Sequence, residues 1–174
     1  MFHKVIGWKI VGRFDPALKK FIIIVAPHTS NWDFVIGVMA RSILKLTQGS
    51  FLGKSQLFKW PHGFIFKALG GYPVDRTKHN NWVEAAVELY NSKDEFVMAL
   101  APEGTRRKVD RIKTGFYHIA EQAKIPIYMV GFDYAKKTIF IEEPFHPTGD
   151  KEADLQKIMA YFKTISGRHP EQGL

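Results

Sequence analysis

Cysteine is absent from the 174 residues. That excludes disulfides, thiolate metal sites and a cysteine nucleophile. Long apolar runs are absent too: the longest, residues 21–27, is far short of the roughly 20 residues that a membrane-spanning helix needs. The first 13 residues lack the apolar stretch and small-residue cleavage site of a signal peptide, so no secretory leader is expected. There is no internal repeat, low-complexity tract or Ser/Gly linker, so a single domain over 1–174 is expected. No Gly-x-Ser-x-Gly elbow is present, which removes a serine hydrolase of that design. No RNP block or zinc-finger spacing points to nucleic acid. Acidic residues are the minority: 17 Asp and Glu against 25 Lys and Arg leave a net charge of +8. A basic surface attracts anions, whether nucleic acid, anionic lipid or an acidic carrier protein, and charge alone does not choose among them.

What is present reads as a globular α/β chain, with 45% hydrophobic and 24% charged residues. Short apolar runs alternate with helical patterns, which predicts a mixed, largely parallel sheet flanked by helices. Residues 21–26 and 96–101 are short and wholly apolar, as buried strands are. Further strands are expected at 50–53, 72–75, 125–131 and 138–141, the last as a possible antiparallel edge. Helices are expected at about 31–46, 56–69 (interrupted by Pro61 and Gly63), 81–90, 115–124 and 154–165. In residues 1–13, Val5, Ile6, Trp8, Ile10 and Val11 interleave with Lys4, Lys9 and Arg13. This predicts an amphipathic helix, packed on the core or lying in a membrane interface.

Both strong strands run into proline and then a polar cluster: Ala26-Pro27-His28 and Ala101-Pro102-Glu103. Sites in open α/β sheets form beyond the carboxyl ends of strands, so the clusters share a crevice if the strands are neighbours. His28 and Asp33 flank a strand-to-helix junction. A histidine that takes a proton from an alcohol needs a fixed tautomer, and a carboxylate on its other nitrogen fixes it. The same pair would also suit a helix cap beside an ordinary loop histidine. Gly104 permits a tight turn, and Arg106 offers a planar fork suited to phosphate. Arg76, after Gly70-Gly71, is a second phosphate ligand or a surface ion-pair partner.

In order and spacing these pieces resemble the glycerol-3-phosphate and 1-acylglycerol-3-phosphate acyltransferases, the PlsC-like lysophospholipid acyltransferase family. His28 and Asp33 match its His-x4-Asp block, and residues 71–76 its Gly…Arg block. Pro102-Glu103-Gly104-Thr105-Arg106 matches its Pro-Glu-Gly-Thr-Arg block, and residues 125–130 its last apolar block around a proline. The resemblance runs from about Ile22 to Val130. Tyr128-Met129-Val130 lacks a second proline common in the last block, and the apolar segments that precede the first block in many members have no counterpart here.

The resemblance implies a glycerolipid-acyltransferase-like fold and direct transfer of an acyl group from acyl-CoA or acyl-carrier protein to the hydroxyl of a lysophospholipid. His28 would be the general base, oriented by Asp33, and backbone N–H groups at the helix start near Asn31 would face the oxyanion. Arg76, Glu103, Gly104, Thr105 and Arg106 would bind the acceptor. No metal or redox cofactor is implied. The expected setting is cytoplasmic, peripheral on the inner face of the membrane, with no nucleic acid partner. Two other readings remain open from the residues: a non-catalytic basic module that binds membrane or nucleic acid, and an acyl thioesterase using the same His–Asp base.

Overall fold

The computed structural model describes residues 7–46, 49–54, 56, 59, 63–68, 70–74 and 81–172. Its elements in chain order are β1 (Lys9–Val11), β2 (Lys20–Ala26), α1 (Trp32–Ile43), β3 (Gly49–Lys54), α2 (Gly63–Ala68), β4 (Gly71–Val74), α3 (Asn81–Ser92), β5 (Phe96–Leu100), α4 (Gly115–Ala123), β6 (Ile127–Asp133), β7 (Thr138–Ile141) and α5 (Lys151–Phe162). A short 3-10 turn, Pro170–Gln172, follows.

The strands form one seven-stranded sheet in the order β1-β7-β6-β2-β5-β3-β4. Every pairing is parallel except β6 with β7. β2 is central, and both its faces are covered. Ile22 and Ile24 are wholly buried on one side, while Phe21 and Ile23 face the other. Such two-sided burial explains why β2 is a continuous β-branched run rather than an alternating one. Each of these side chains contributes about 1.5–3 kcal/mol by leaving water.

The Ile22 face packs against α3, α4 and α5 through Ala86, Tyr90, Phe116, Ile119, Ile158 and Phe162. Gly115 lets α4 approach α3 where a side chain would run into the Trp82 ring. Buried Tyr90 donates its hydroxyl to the Phe21 carbonyl (2.8 Å) and accepts the Met98 N–H (3.2 Å), tying α3 to both central strands. The opposite face carries α1, with Ile36 and Ala40 against Val97, Val130 and Phe132.

Two expectations change. Residues 9–11 are not helical: they form strand β1, paired in parallel with β7 at Lys9↔Thr138 and Val11↔Phe140. The Lys9-Ile10-Val11 triplet sits at the sheet edge with only Ile10 partly covered, so its alternation is that of a strand. Residues 7–8 and 12–13 of the expected helix are not helical either, and residues 1–6 lie outside the described residues. β7 is antiparallel to β6, as anticipated, but β1 lies beyond it and β7 is not an edge.

The connection from β2 passes over one face through α1 to β3, and that from β5 over the opposite face through α4 to β6. β2 and β5 are adjacent, with Ile24 opposite Leu100. The chain therefore parts to opposite sides just beyond their carboxyl ends, and a crevice opens there.

Candidate active site

The loop after β2 begins with a cis Ala26–Pro27 peptide and carries His28. α1 follows four residues later and places Asp33 in its first turn. The turn folds back on itself: the Ser30 N–H donates to Asp33 Oδ2 (2.8 Å) and the Trp32 N–H to the Ser30 hydroxyl (3.2 Å). This brings His28 Nδ1 to 3.0 Å from Asp33 Oδ2. A carboxylate only accepts, so Nδ1 carries a hydrogen, and in the neutral imidazole the lone pair is then on Nε2.

Asp33 is 3% exposed. Burial pushes its carboxyl up, but hydrogen bonds from His28, Tyr134 and the Ser30 N–H together outweigh burial and hold it below the usual carboxylate range. The Tyr134 bond is short, 2.6 Å from the phenol oxygen to Asp33 Oδ1.

Glu103, from the loop after β5, is turned inward. It is 4% exposed, does not line the cavity described below, and both its oxygens accept the His28 N–H at 3.0 Å. Its carboxylate thus lies beneath the histidine loop and holds the His28 backbone. Burial raises its carboxyl to about 7, with the His28 N–H only partly offsetting the cost.

Gly104 stands beside it at φ +67°, and its N–H closes a turn onto the Ala101 carbonyl (3.1 Å). A side chain there would press on Lys113. Thr105 and Arg106 follow on the exposed rim, where Thr105 Oγ1 accepts the Arg107 N–H (3.3 Å). Arg76 lies outside the described residues.

Residues beyond β7 complete the site. Gly167 packs on Thr29 and Pro27, and the His169 N–H donates to Thr29 Oγ1 (3.2 Å). The Arg168 guanidinium lies 5.5 Å from the Trp32 ring centre. Tyr134 and this segment carry no local sequence signal, and Thr29 none beyond its place between His28 and Asp33. Their roles come from contacts between positions 101 to 140 residues apart, which no local spacing encodes.

His28, Asp33, Gly104, Thr105 and Arg106 all border one cavity of about 950 Å³. From the His28 loop it continues between α1 and the sheet, where Ile23, Val25, Ala99, Val130 and Phe132 line it. One end therefore holds an oriented imidazole and an arginine, and the rest is largely apolar. Among the N–H groups at the start of α1, those of Trp32, Asp33 and Phe34 are engaged by Ser30 Oγ, the Ser30 carbonyl and the Asn31 carbonyl.

A family model described as acyltransferase matches residues 11–133, ending one residue before Tyr134. Over 131 residues the chain is 32% identical to the 1-acyl-sn-glycerol-3-phosphate acyltransferase of Saccharomyces cerevisiae; the alignment covers 70% of this chain and 41% of that one. The chain thus spans about two fifths of the yeast protein's length. In fold it is similar to the crystal structure of the 1-acyl-sn-glycerophosphate (LPA) acyltransferase PlsC from Thermotoga maritima. The TM-score is 0.60 at 21% identity, over 90% of this chain and 69% of that chain.

Proposed function

Because the chain belongs to the acyltransferase family, we propose that it moves a fatty acyl group from acyl-CoA or acyl-carrier protein to the hydroxyl of a lysophospholipid such as 1-acyl-glycerol-3-phosphate. The observation that carries this reading is the His28 Nδ1–Asp33 Oδ2 contact of 3.0 Å at the mouth of a mainly apolar cavity. The names of the yeast and Thermotoga relatives support the acceptor class.

In this mechanism His28 Nε2 takes the proton of the acceptor hydroxyl as its oxygen attacks the thioester carbonyl. The tetrahedral intermediate collapses, the C–S bond breaks, and the departing thiolate receives the proton from the imidazolium. Asp33 holds the tautomer and stabilises the imidazolium in between. Arg106 at the rim supplies a bidentate donor for the acceptor phosphate, with Thr105 and Gly104 shaping that end and Arg76 as a second candidate. The apolar length of the cavity suits an acyl chain. The reaction so written is complete without a metal or redox cofactor.

No helix among the described residues is long and apolar enough to cross a membrane. The acceptor is itself a lipid, so we place the enzyme peripherally on the inner face of the cell membrane. The outer side of α1 supports this. Trp32, Val35 and Ile43 are exposed along it, and Phe64 of α2 is 71% exposed. An exposed apolar ridge on a cationic protein suits an anionic lipid surface.

The test is thiol release from long-chain acyl-CoA and from acyl-carrier protein, with and without 1-acyl-glycerol-3-phosphate. Release should depend on the acceptor and fall about 10²–10⁴-fold in His28→Ala, with the fold retained. Equal release without acceptor would instead make the protein a thioesterase, and near-normal turnover in the variant would remove the base mechanism.

A further inference from the structure

Tyr134 is the first residue past β6, at the start of the tight β6–β7 hairpin. Three parts of the chain hold it. Its N–H donates to the Ser166 carbonyl (2.8 Å). Its ring meets Trp8 edge-on, with centres 4.9 Å apart and planes at 88°. Its hydroxyl reaches Asp33 Oδ1 at 2.6 Å. The hairpin itself is fixed by buried Asp133, whose carboxylate accepts the Lys136 N–H (2.9 Å) and pairs with its ammonium (3.2 Å). Phenylalanine would satisfy the packing on Trp8 equally well. Only the bond to Asp33 requires the hydroxyl.

We propose that Tyr134 is a positioning residue of the His28–Asp33 pair: its hydroxyl pins one oxygen of Asp33 so that the other stays aimed at the His28 ring. The inference rests on the acyltransferase reading for its kinetic consequence, not for its geometry. A carboxylate turns readily about its Cβ–Cγ bond. Donors on both sides, Tyr134 at Oδ1 and the Ser30 N–H at Oδ2, fix its plane. The phenol does a second thing. As a hydrogen-bond donor it draws negative charge toward Oδ1, which lowers the pull of Asp33 on a proton at His28. Burial and the bond to Asp33 push the Tyr134 hydroxyl well above its usual range, so it stays a donor wherever the protein is folded. Among the described residues, Glu103 accepts the His28 N–H, the charge of Arg168 reaches Tyr134, and Arg41, Arg106, Arg107 and His169 line the same cavity as the pair. All remain when Tyr134 is changed.

The experiment is Tyr134→Phe in the full chain, read in two ways. In acyl transfer, kcat should fall about tenfold, as for one lost hydrogen bond to a charged group, with KM for donor and acceptor nearly unchanged. The acid limb of the pH–rate profile should move upward by about half a unit or more, because Asp33 then favours the protonated imidazole more strongly. A structural role alone would reduce the amount of folded enzyme and leave that limb in place. The second reading needs no substrate: the imidazole ¹⁵N titration of His28 should move in the same direction in the variant. The unaltered chain supplies a check that does not depend on the variant folding. A phenol so close to a carboxylate should show a downfield, slowly exchanging hydroxyl proton. Coincident titrations in a folded variant, or no such proton in the wild type, would overturn the proposal. A wild type inactive with every acyl donor and acceptor would count against the acyltransferase reading, and the two resonance measurements would still decide the role of Tyr134.

Discussion

A carboxylic acid shut away from water holds its proton more tightly than one in solution, and Glu103 is such an acid, titrating near 7 against an ordinary 4.5. Between those values the folded chain binds the proton and the unfolded chain has released it. The contribution of Glu103 to stability is therefore fully present below about 4.5 and is lost as pH rises through 7. Glu103→Gln keeps an acceptor for the His28 N–H and removes the titration. Urea midpoints of the variant relative to the wild type should climb from pH 5 to pH 8, by an amount equivalent to about 1–3 kcal/mol. A difference that stays flat with pH would place the Glu103 titration elsewhere. Asp33, the other carboxylate bonded to His28, behaves oppositely, because three hydrogen bonds overcome its burial. At this scale the sequence was half readable. Histidine and aspartate five apart at a strand-to-helix junction announced a pair. The inward turn of Glu103 did not, since a Glu-Gly turn reads the same whichever way its carboxylate points.

Elements were more readable where burial is uniform. β2 and β5 are short apolar runs because both faces of the central sheet are covered, so pattern and burial coincide. β1 was misread because three residues at an edge carry too little pattern to outvote the amphipathic spacing around them. Another feature without a sequence signal joins α5 to α4. Asp154, wholly buried, accepts the Tyr117 hydroxyl (2.9 Å), the Thr148 N–H (2.7 Å) and the Thr148 hydroxyl (2.9 Å). Burial pushes its carboxyl up, and these bonds more than offset that, leaving it below the usual range. Asp154→Ala leaves the buried Tyr117 hydroxyl and the N–H and hydroxyl of exposed Thr148 without their shared acceptor and should cost about 3 kcal/mol by urea unfolding, with turnover per folded molecule unchanged. A loss under 1 kcal/mol would mean that water reaches those groups once the carboxylate is gone.

For the whole molecule, the arrangement gives a direction. The exposed side chains of Trp32, Val35 and Ile43 lie along α1, whose inner side closes the cavity beside His28. A surface that held this ridge would lie next to the cavity mouth, so a lipid acceptor could enter without crossing much water. Val35→Asp combined with Ile43→Asp should weaken partition onto anionic vesicles about tenfold, while the transfer rate to a short-chain, water-soluble acceptor stays near that of the wild type. Unchanged partition would move the contact to another face.

The clasp of Ser166, Gly167 and His169 on the early part of the chain also bears on how the protein is made. Synthesis delivers β2, the histidine loop, α1 and β5 first, yet Thr29 gains the His169 N–H, and Tyr134 its backbone anchor at Ser166, only once that later segment has been made. Contacts 140 positions apart form late, because closing so long a loop costs entropy before any contact repays it. A nascent chain halted before Ser166 would already carry the apolar residues of its cavity wall without the segment whose His169 lines the same cavity. The histidine loop therefore holds its full set of contacts only once that segment has been made.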